Sequence, residues 1–259
     1  MVSADAIRTV VGIVGNIIAL SLFLSPVPTF TQIWKKGSVE QFSPAPYLAT
    51  LLNCLFWVLY GLPMVHPHSM LVLTINGTGL VIELAYVLLF ILNSDGKKRL
   101  RVLVILVAEF IFVGIVALLV INLAHTYEQR SLIVGCICVV FGTGMYVAPL
   151  AVMKLVITTR SVEYMPFFLS FASFANGICW TTYALIKFDL FITIPNSIGT
   201  VLALAQLILY ATFYKSTQRQ LAERKRKGEL GMAEVVVVGD TKKVGSVPHN
   251  GHAPEIREM

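Results

Sequence analysis

Apolar residues in this chain come in long unbroken stretches separated by short polar punctuation, without the alternation of a half-buried strand or the single stripe of a soluble helix. A helix needs about 20 mostly apolar residues to cross a bilayer. Seven stretches meet that length, at roughly 7–30, 44–63, 69–92, 102–124, 131–153, 165–186 and 190–214. Pro63-Met64-Val65-His66-Pro67-His68-Ser69 separates the second from the third, and its two prolines predict a tight turn there. Beyond 214 the apolar pattern lapses into Arg224-Lys225-Arg226-Lys227, scattered Gly and Pro, and one Val235-to-Val238 run. Residues 215–259 are therefore expected to be a disordered tail, with its basic cluster near anionic headgroups. The fold class expected is an all-α membrane protein of seven transmembrane helices.

Within those stretches the sequence repeats. Ser38-Val39-Glu40, Asn53, Trp57 and Tyr60 recur as Ser161-Val162-Glu163, Asn176, Trp180 and Tyr183, every pair 123 positions apart. Val11-Gly12 and Pro26 match Val134-Gly135 and Pro149 at the same offset, whereas Asn76 and Gly79 match Asn196 and Gly199 at 120. The chain thus reads as two copies of a unit of about 80 residues. The division expected is a three-helix bundle over 1–92, a linker helix with its flanking loops over 93–128, a second three-helix bundle over 129–214, and the tail. Three spans alone would invert the second copy. The single linker span restores its orientation, giving a parallel repeat about an axis along the membrane normal, with function at the junction of the copies near the midplane.

Composition agrees: 56% of residues are hydrophobic, 13% charged, and the mean hydropathy is +0.78, against about 25% charged in soluble domains. An excess of 20 Lys and Arg over 14 Asp and Glu would suit nucleic acid on a soluble face, but here the basic residues lie between apolar spans, so no nucleic-acid partner is expected. They instead set topology. Lys35, Lys36, Lys97, Lys98, Arg99, Arg101, Lys154 and Arg160 fall in alternate loops, and the loops between them carry only Arg130 and Lys187. That predicts an extracellular or lumenal N-terminus and a cytoplasmic C-terminus. Cys54, Cys136, Cys138 and Cys179 all sit inside apolar stretches without ligand spacing and read as packing thiols. The first stretch is too long for a signal peptide, follows Asp5, and lacks a small-x-small cleavage site.

The candidate chemistry lies in the duplicated polar residues. Asn53 and Trp57 are four apart and share a helix face with Tyr60 a turn beyond, as do Asn176, Trp180 and Tyr183; Asn76 and Asn196 correspond in the third span of each copy. Four amides and two indoles would line a central cavity suited to a neutral polyol, since amides serve hydroxyls as donors and acceptors and indoles cover the C–H faces of a sugar ring. Singly, such residues are also helix glue and interface anchors; the duplicated set favours a cavity. Pro26 and Pro149 sit inside spans one and five, where each would free the carbonyl four residues earlier, at Leu22 and Met145, making candidate hinges. Pro46 and Pro166, near the starts of spans two and six, are further candidates, although a proline at a helix N-terminus needs no functional reason. Glu83 and Glu109 lie in apolar spans. Glu83, seven residues from Asn76, is a candidate proton site, and Glu109 is near enough to the surface to snorkel. Asn76-Gly77-Thr78 has the form of a glycosylation acceptor but is placed in a span, where it would stay unmodified. No nucleophile with its base, phosphate loop or metal cluster is present, so neither an enzyme nor a cofactor or metal is expected.

Leu22-Phe23-Leu24-Ser25-Pro26, Pro46-Tyr47, Thr74-Ile75-Asn76-Gly77, Ala148-Pro149-Leu150, Ser161-Val162-Glu163-Tyr164-Met165-Pro166 and Ile194-Pro195-Asn196 resemble the signatures of the SWEET sugar facilitators of plants, in order over about residues 7 to 216. That family is itself a standard instance of the parallel repeat, so the agreement on that point is not independent. The resemblance implies a 3+1+3 helix arrangement that carries mono- or disaccharides down their gradient without an ion, in a homo-oligomer, with the plasma membrane the expected location. It implies that the sugar meets Asn76, Asn196, Trp57 and Trp180, with Asn53, Asn176, Leu22 and Met145 shaping the cavity. Pro26, Pro46, Pro149 and Pro166 would be the family's four hinge prolines, and Tyr60 with Asp189 its outer gate. Pro46 and Pro166 are 120 apart, so the copies fall out of step between Glu40 and Asn53. Asn53 and Asn176 are bulkier than Ser or Gly would be, which predicts a narrow cavity and monosaccharides such as glucose or fructose over sucrose. Two other readings compete: a PQ-loop type amino-acid carrier of an endomembrane, whose cavity should present charge or freed helix ends to a carboxylate, and a seven-helix receptor, which should show no three-span repeat.

Overall fold

The computed structural model describes residues 3–244, with side chains described as far as 227. Among these residues the elements are α-helices: α1 (Ala4–Phe23), α2 (Val27–Lys36), α3 (Ala45–Gly61), α4 (Met70–Leu92), α5 (Gly96–Leu123), α6 (Tyr127–Gly144), α7 (Val147–Thr159), α8 (Phe167–Ile186) and α9 (Leu190–Val244). They make seven rods, because α1 with α2 and α6 with α7 are each one span broken in the middle. Five rods are long and apolar enough to cross a membrane, and Ala45–Gly61 is a shorter apolar helix. The 20-residue α8 carries Ser170, Ser173, Asn176 and Thr181 among its apolar residues, all four turned at least partly inward, as polar side chains in a membrane helix usually are.

Each break is marked by a local tightening of the backbone bonds. After α1 the chain makes i→i+3 bonds, Ser25 N–H to the Leu22 carbonyl and Val27 N–H to the Leu24 carbonyl, both 3.1 Å. The Leu22 carbonyl is therefore not left free by Pro26, a correction to the expectation; a 3₁₀ turn takes it up. In the second copy the break falls at Met145-Tyr146, ahead of Pro149, and Tyr146 N–H bonds the Thr143 carbonyl. Pro46 is in the first turn of α3 and Pro166 is the residue preceding α8. Both start helices, where a missing N–H costs nothing.

Within the first copy α1, α2 and α3 pack on α4; within the second, α6, α7 and α8 pack on α9. The linker α5 lies against α3, α4 and α6. Arg130 ties the linker's end in place, its guanidinium donating to the carbonyls of Ala124, Ile121 and Met64. Contact between the copies is carried by α1 on α8 and α3 on α6. Of these, α1 and α6 are the first halves of their broken spans, so the contact lies toward the face where they begin. Toward the opposite face α2 keeps to α4 and α7 to α9, so the copies are joined along one half of their depth.

The expected disorder from 215 is corrected: α9 continues without interruption to Val244. Its start beyond the apolar stretch is anchored to the loop after α7. The Thr217 hydroxyl accepts from Val162 N–H at 2.8 Å, Gln220 donates to the carbonyls of Thr159 and Arg160, and Arg224 pairs with Glu163 at 3.0 Å. Val156, Val162 and Met165 pack beneath them against Leu209, Tyr210 and Phe213. The last part of the expected tail, 245–259, lies outside the described residues.

Candidate functional site

A cavity of about 210 Å³ lies between the copies, where α1 crosses α8 and α3 crosses α6. Asn53, Trp57, Asn76, Met145, Asn176, Trp180 and Asn196 line it, together with Phe23, Tyr146 and Pro195. A second hollow of about 370 Å³ continues from it, sharing Asn53, Met145, Asn176 and Asn196 and adding Leu22 and Ser173. All eight residues expected to shape a binding site are thus brought to one place, and no lining residue of either hollow carries a charge.

Helix geometry sets the state of each amide. Asn76 Nδ2 donates to the Val72 carbonyl (2.9 Å) and Asn196 Nδ2 to the Ile192 carbonyl (2.8 Å), each one turn back on its own helix. Because a carbonyl can only accept, these bonds fix which amide atom is nitrogen, and each Oδ1 remains an acceptor toward the cavity. Asn53 Oδ1 and Asn176 Oδ1 are buried with no partner in the protein, which for buried polar atoms points to a ligand or water. Trp57 and Trp180, 7% and 6% exposed, close the cavity toward the α1–α6 face, each against the tyrosine one turn on, Tyr60 at 5.5 Å and Tyr183 at 5.2 Å between ring centroids. Gly15 of α1 lets Trp180 sit there, since a Cβ at that position would come within 3.2 Å of the indole.

Two lining aromatics were not singled out by the sequence reading. Phe23 and Tyr146 are 123 apart and stand at the breaks of spans one and five. Each rests in a hollow that only glycine leaves, Phe23 over Gly79 and Tyr146 over Gly199, where an added Cβ would overlap the ring. Tyr146 also donates to the Pro195 carbonyl at 2.6 Å. The signal was present in the sequence, since Gly79 and Gly199 belong to the repeat.

The α1–α6 face is shut by bonds that run from one copy to the other. Tyr60 is fully buried, and its hydroxyl donates to the Asp189 carboxylate, 3.0 Å from each oxygen. Asp189 also caps α9 by accepting from Phe191 and Ile192 N–H, and His66 Nε2 stands 3.3 Å from its Oδ2. Burial pushes the Asp189 carboxyl up, but His66, the Ile192 N–H and the Tyr60 hydroxyl together outweigh it and hold the group below the usual carboxylate range. On the pseudo-equivalent side Arg8 lies over the Tyr183 ring at 4.1 Å and donates to the carbonyls of Tyr183 and His68. Lys187 pairs with Asp5. Ser69, which precedes α4 as Asp189 precedes α9, holds the position 120 residues before Asp189. His66 and Arg8 were also missed as members of this layer, because nothing local in the sequence reveals contacts across copies.

Glu83, 3% exposed, lines neither hollow; it is buried in the first copy with Oε2 unpartnered. Glu109 does not snorkel as expected: it is 9% exposed, its Oε2 likewise buried without a partner. Among the described residues no cluster of His, Cys, Asp and Glu could hold a metal.

The family model described as a sugar efflux transporter for intercellular exchange matches residues 9–98 and 132–218. Those two blocks are offset by 123 at their starts and leave out the centre of the chain, as the repeat does. A bidirectional sugar transporter SWEET4 of Oryza sativa subsp. indica is 67% identical over 243 residues, 94% of each chain. A bidirectional sugar transporter SWEET7 of Arabidopsis thaliana is 53% identical over 244 residues, 93% of this chain and 95% of that one. A eukaryotic SWEET transporter solved at 3.7 Å superposes with a TM-score of 0.80 at 40% identity, covering 82% of this chain and 99% of that one. With its repeat, its helix order and these matches over most of its length, the chain belongs to the SWEET family.

Proposed function

We propose that this protein is a passive, bidirectional sugar carrier, not an enzyme, that prefers monosaccharides such as glucose and fructose and works by alternating access. The observation that carries this is the uncharged chamber between the copies, with four asparagines and two tryptophans presented to one small volume. Acceptors at Asn76 and Asn196, unpartnered oxygens at Asn53 and Asn176, and the faces of Trp57 and Trp180 suit a ring with hydroxyls on its rim and C–H bonds on its faces. Asn53 and Asn176 line both hollows and narrow the space where the two meet, which supports a single sugar ring over a disaccharide. No lining residue would hold an ion or an amino acid's charged ends, and Glu83 is away from the chamber, which supports transport without a coupled proton.

In this reading residues 1–92 and 129–214 are the two moving bodies and 93–128 the linker. The face latched by Tyr60 and Asp189 is extracellular, by the placement of Lys and Arg in the opposite loops, and sugar enters and leaves the present state from the cytoplasmic side between α2 and α7. Pro26 and Pro149, with Pro46 and Pro166 at helix starts, are the points about which the cytoplasmic halves move. The plasma membrane is the location we assign. We also assign a homo-oligomer, since α5 exposes Leu103, Val107, Phe110 and Leu118 to lipid or to a second copy. Uptake of labelled glucose and sucrose by transport-deficient cells expressing the protein, with and without a proton gradient, tests the proposal. Glucose uptake that exceeds sucrose uptake and stops at the external concentration whether or not a gradient is imposed is expected; sucrose faster than glucose, or accumulation driven by the gradient, overturns it.

A further inference from the structure

The latch contains a histidine whose two ring nitrogens both face oxygens that can only accept. His66 lies in the turn between α3 and α4, stacked on Tyr60 with centroids 4.6 Å apart and planes at 17°. Its Nδ1 is 2.9 Å from the Ser131 hydroxyl oxygen. That hydroxyl has one hydrogen, and it is given to the Val65 carbonyl at 2.8 Å. Ser131 can therefore only accept from the ring, so Nδ1 must carry a proton. On the other side Nε2 faces Asp189 Oδ2 at 3.3 Å, an oxygen that already accepts from Tyr60 and belongs to a carboxylate with no proton to give. A bare Nε2 would set lone pair against lone pair, so Nε2 also calls for a proton. Both nitrogens protonated is imidazolium.

Resting on the reading of Tyr60 and Asp189 as a gate, we propose that His66 is a positioning residue that acts through Asp189, and that proton binding at His66 fastens the latched face. With the proton bound, His66 ties the first copy to the second at both Ser131 and Asp189. Without it the charge pair with Asp189 is lost, and the carboxylate is left to Tyr60 and the α9 N–H groups. Histidine is the side chain whose ordinary charge change falls between pH 5 and 8, so the same solution that bathes this face would set how firmly it closes. Of the other charged groups in the layer, Arg8 is committed to the Tyr183 ring and the carbonyls of Tyr183 and His68, Arg130 to the carbonyls of Met64, Ala124 and Ile121, and Lys187 to Asp5, while the His68 ring, in the same turn and near Asp5, is common to wild type and variant. Cys138 is fully buried nearby on α6.

The test uses the full chain in proteoliposomes and the labelling of native Cys138 by a water-soluble maleimide, read by tandem mass spectrometry from pH 5.5 to 8. Wild type is compared at each pH with His66→Gln, so that the pH dependence of the thiol itself cancels in the ratio. The ratio of wild-type to variant labelling is expected to be near one at pH 8 and to fall about fivefold toward pH 5.5, the size of a partly exposed ion pair. Ser131→Ala, which removes the acceptor that demands the Nδ1 proton, should move that fall to lower pH. A ratio that stays flat overturns the inference, as does Ser131→Ala leaving the fall where it is. Tyr60→Phe separates the two readings: if it raises labelling at every pH while the ratio is flat, the gate stands and only the role of His66 fails; if it changes nothing, the gate itself fails.

Discussion

Replacing Tyr60 by Phe removes one hydroxyl and leaves the ring, its stacking on His66 and its edge contact with Trp57. What is lost is a hydrogen bond to a charged acceptor, worth about 1.5–3 kcal/mol net. The lower end applies, because Asp189 keeps the N–H groups of Phe191 and Ile192 and the His66 ring, so no buried charge is orphaned. About 1.5 kcal/mol is a little over tenfold in the balance between latched and open states. Cys138 reports that balance. It is fully buried and two helical turns below Ser131, between the latch and the chamber, so a maleimide from water reaches it when the latch opens. Labelling of Cys138 at fixed pH should be about tenfold faster in Tyr60→Phe than in the wild type, with thermal stability changed far less than a lost core side chain would require. A rate within twofold of wild type would refute the assignment of Tyr60 and Asp189 as the contact that holds this face shut.

Asn76→Ala and Asn196→Ala should each abolish sugar uptake while leaving expression and insertion intact, because the carbonyls of Val72 and Ile192 keep their helical N–H partners; uptake surviving in both variants would misplace the chamber. Arg160 ends α7 with φ 51°, where its counterpart in the first copy, Gly37, has φ 63°. Relieving a left-handed non-glycine residue is worth about 1 kcal/mol, so Arg160→Gly should raise Tm in detergent by about 2–4 °C. Gly199→Ala should drive the Tyr146 ring out of its seat and off the Pro195 carbonyl, slowing glucose counterflow more than it weakens sugar affinity, as measured by concentration dependence. The depressed Asp189 carboxyl gives latch stability that is fully present above its unfolded value of about 3.9 and disappears as pH falls through the lower folded value. Tm in detergent should therefore fall more for the wild type than for Asp189→Asn under that strongly acid condition, and an equal fall in both would refute the contribution.

Much of this was legible because the repeat ties distant residues to one register. Corresponding positions of a parallel repeat lie at equal depth in the membrane, so Asn53, Trp57 and Asn76 could each be matched to a partner at its own level. Composition and span length gave the rods for a similar reason: a bilayer admits few alternatives. Three things did not come through. The break of span five falls before Pro149 instead of at it, because the chain yields where the carbonyl loses its donor. The course of α9 past 214 depends on Thr217, Gln220 and Arg224 finding the loop after α7, a contact between residues about 55–61 apart that no local pattern encodes. His66 and Arg8 have no repeated counterpart of their own type, so the duplication that exposed the chamber concealed them.

That last asymmetry bears on ancestry and on engineering. Two first halves brought together would offer each Tyr60 a serine, Ser69, where Asp189 now stands; two second halves would meet with acidic Asp189 on both sides and Ser131 in place of each Arg8. The first half has thus lost the carboxylate that would seal it against its twin, whereas the second keeps both Tyr183 and Asp189, so in the fused chain one copy supplies the acid for a face that the other alone would leave open.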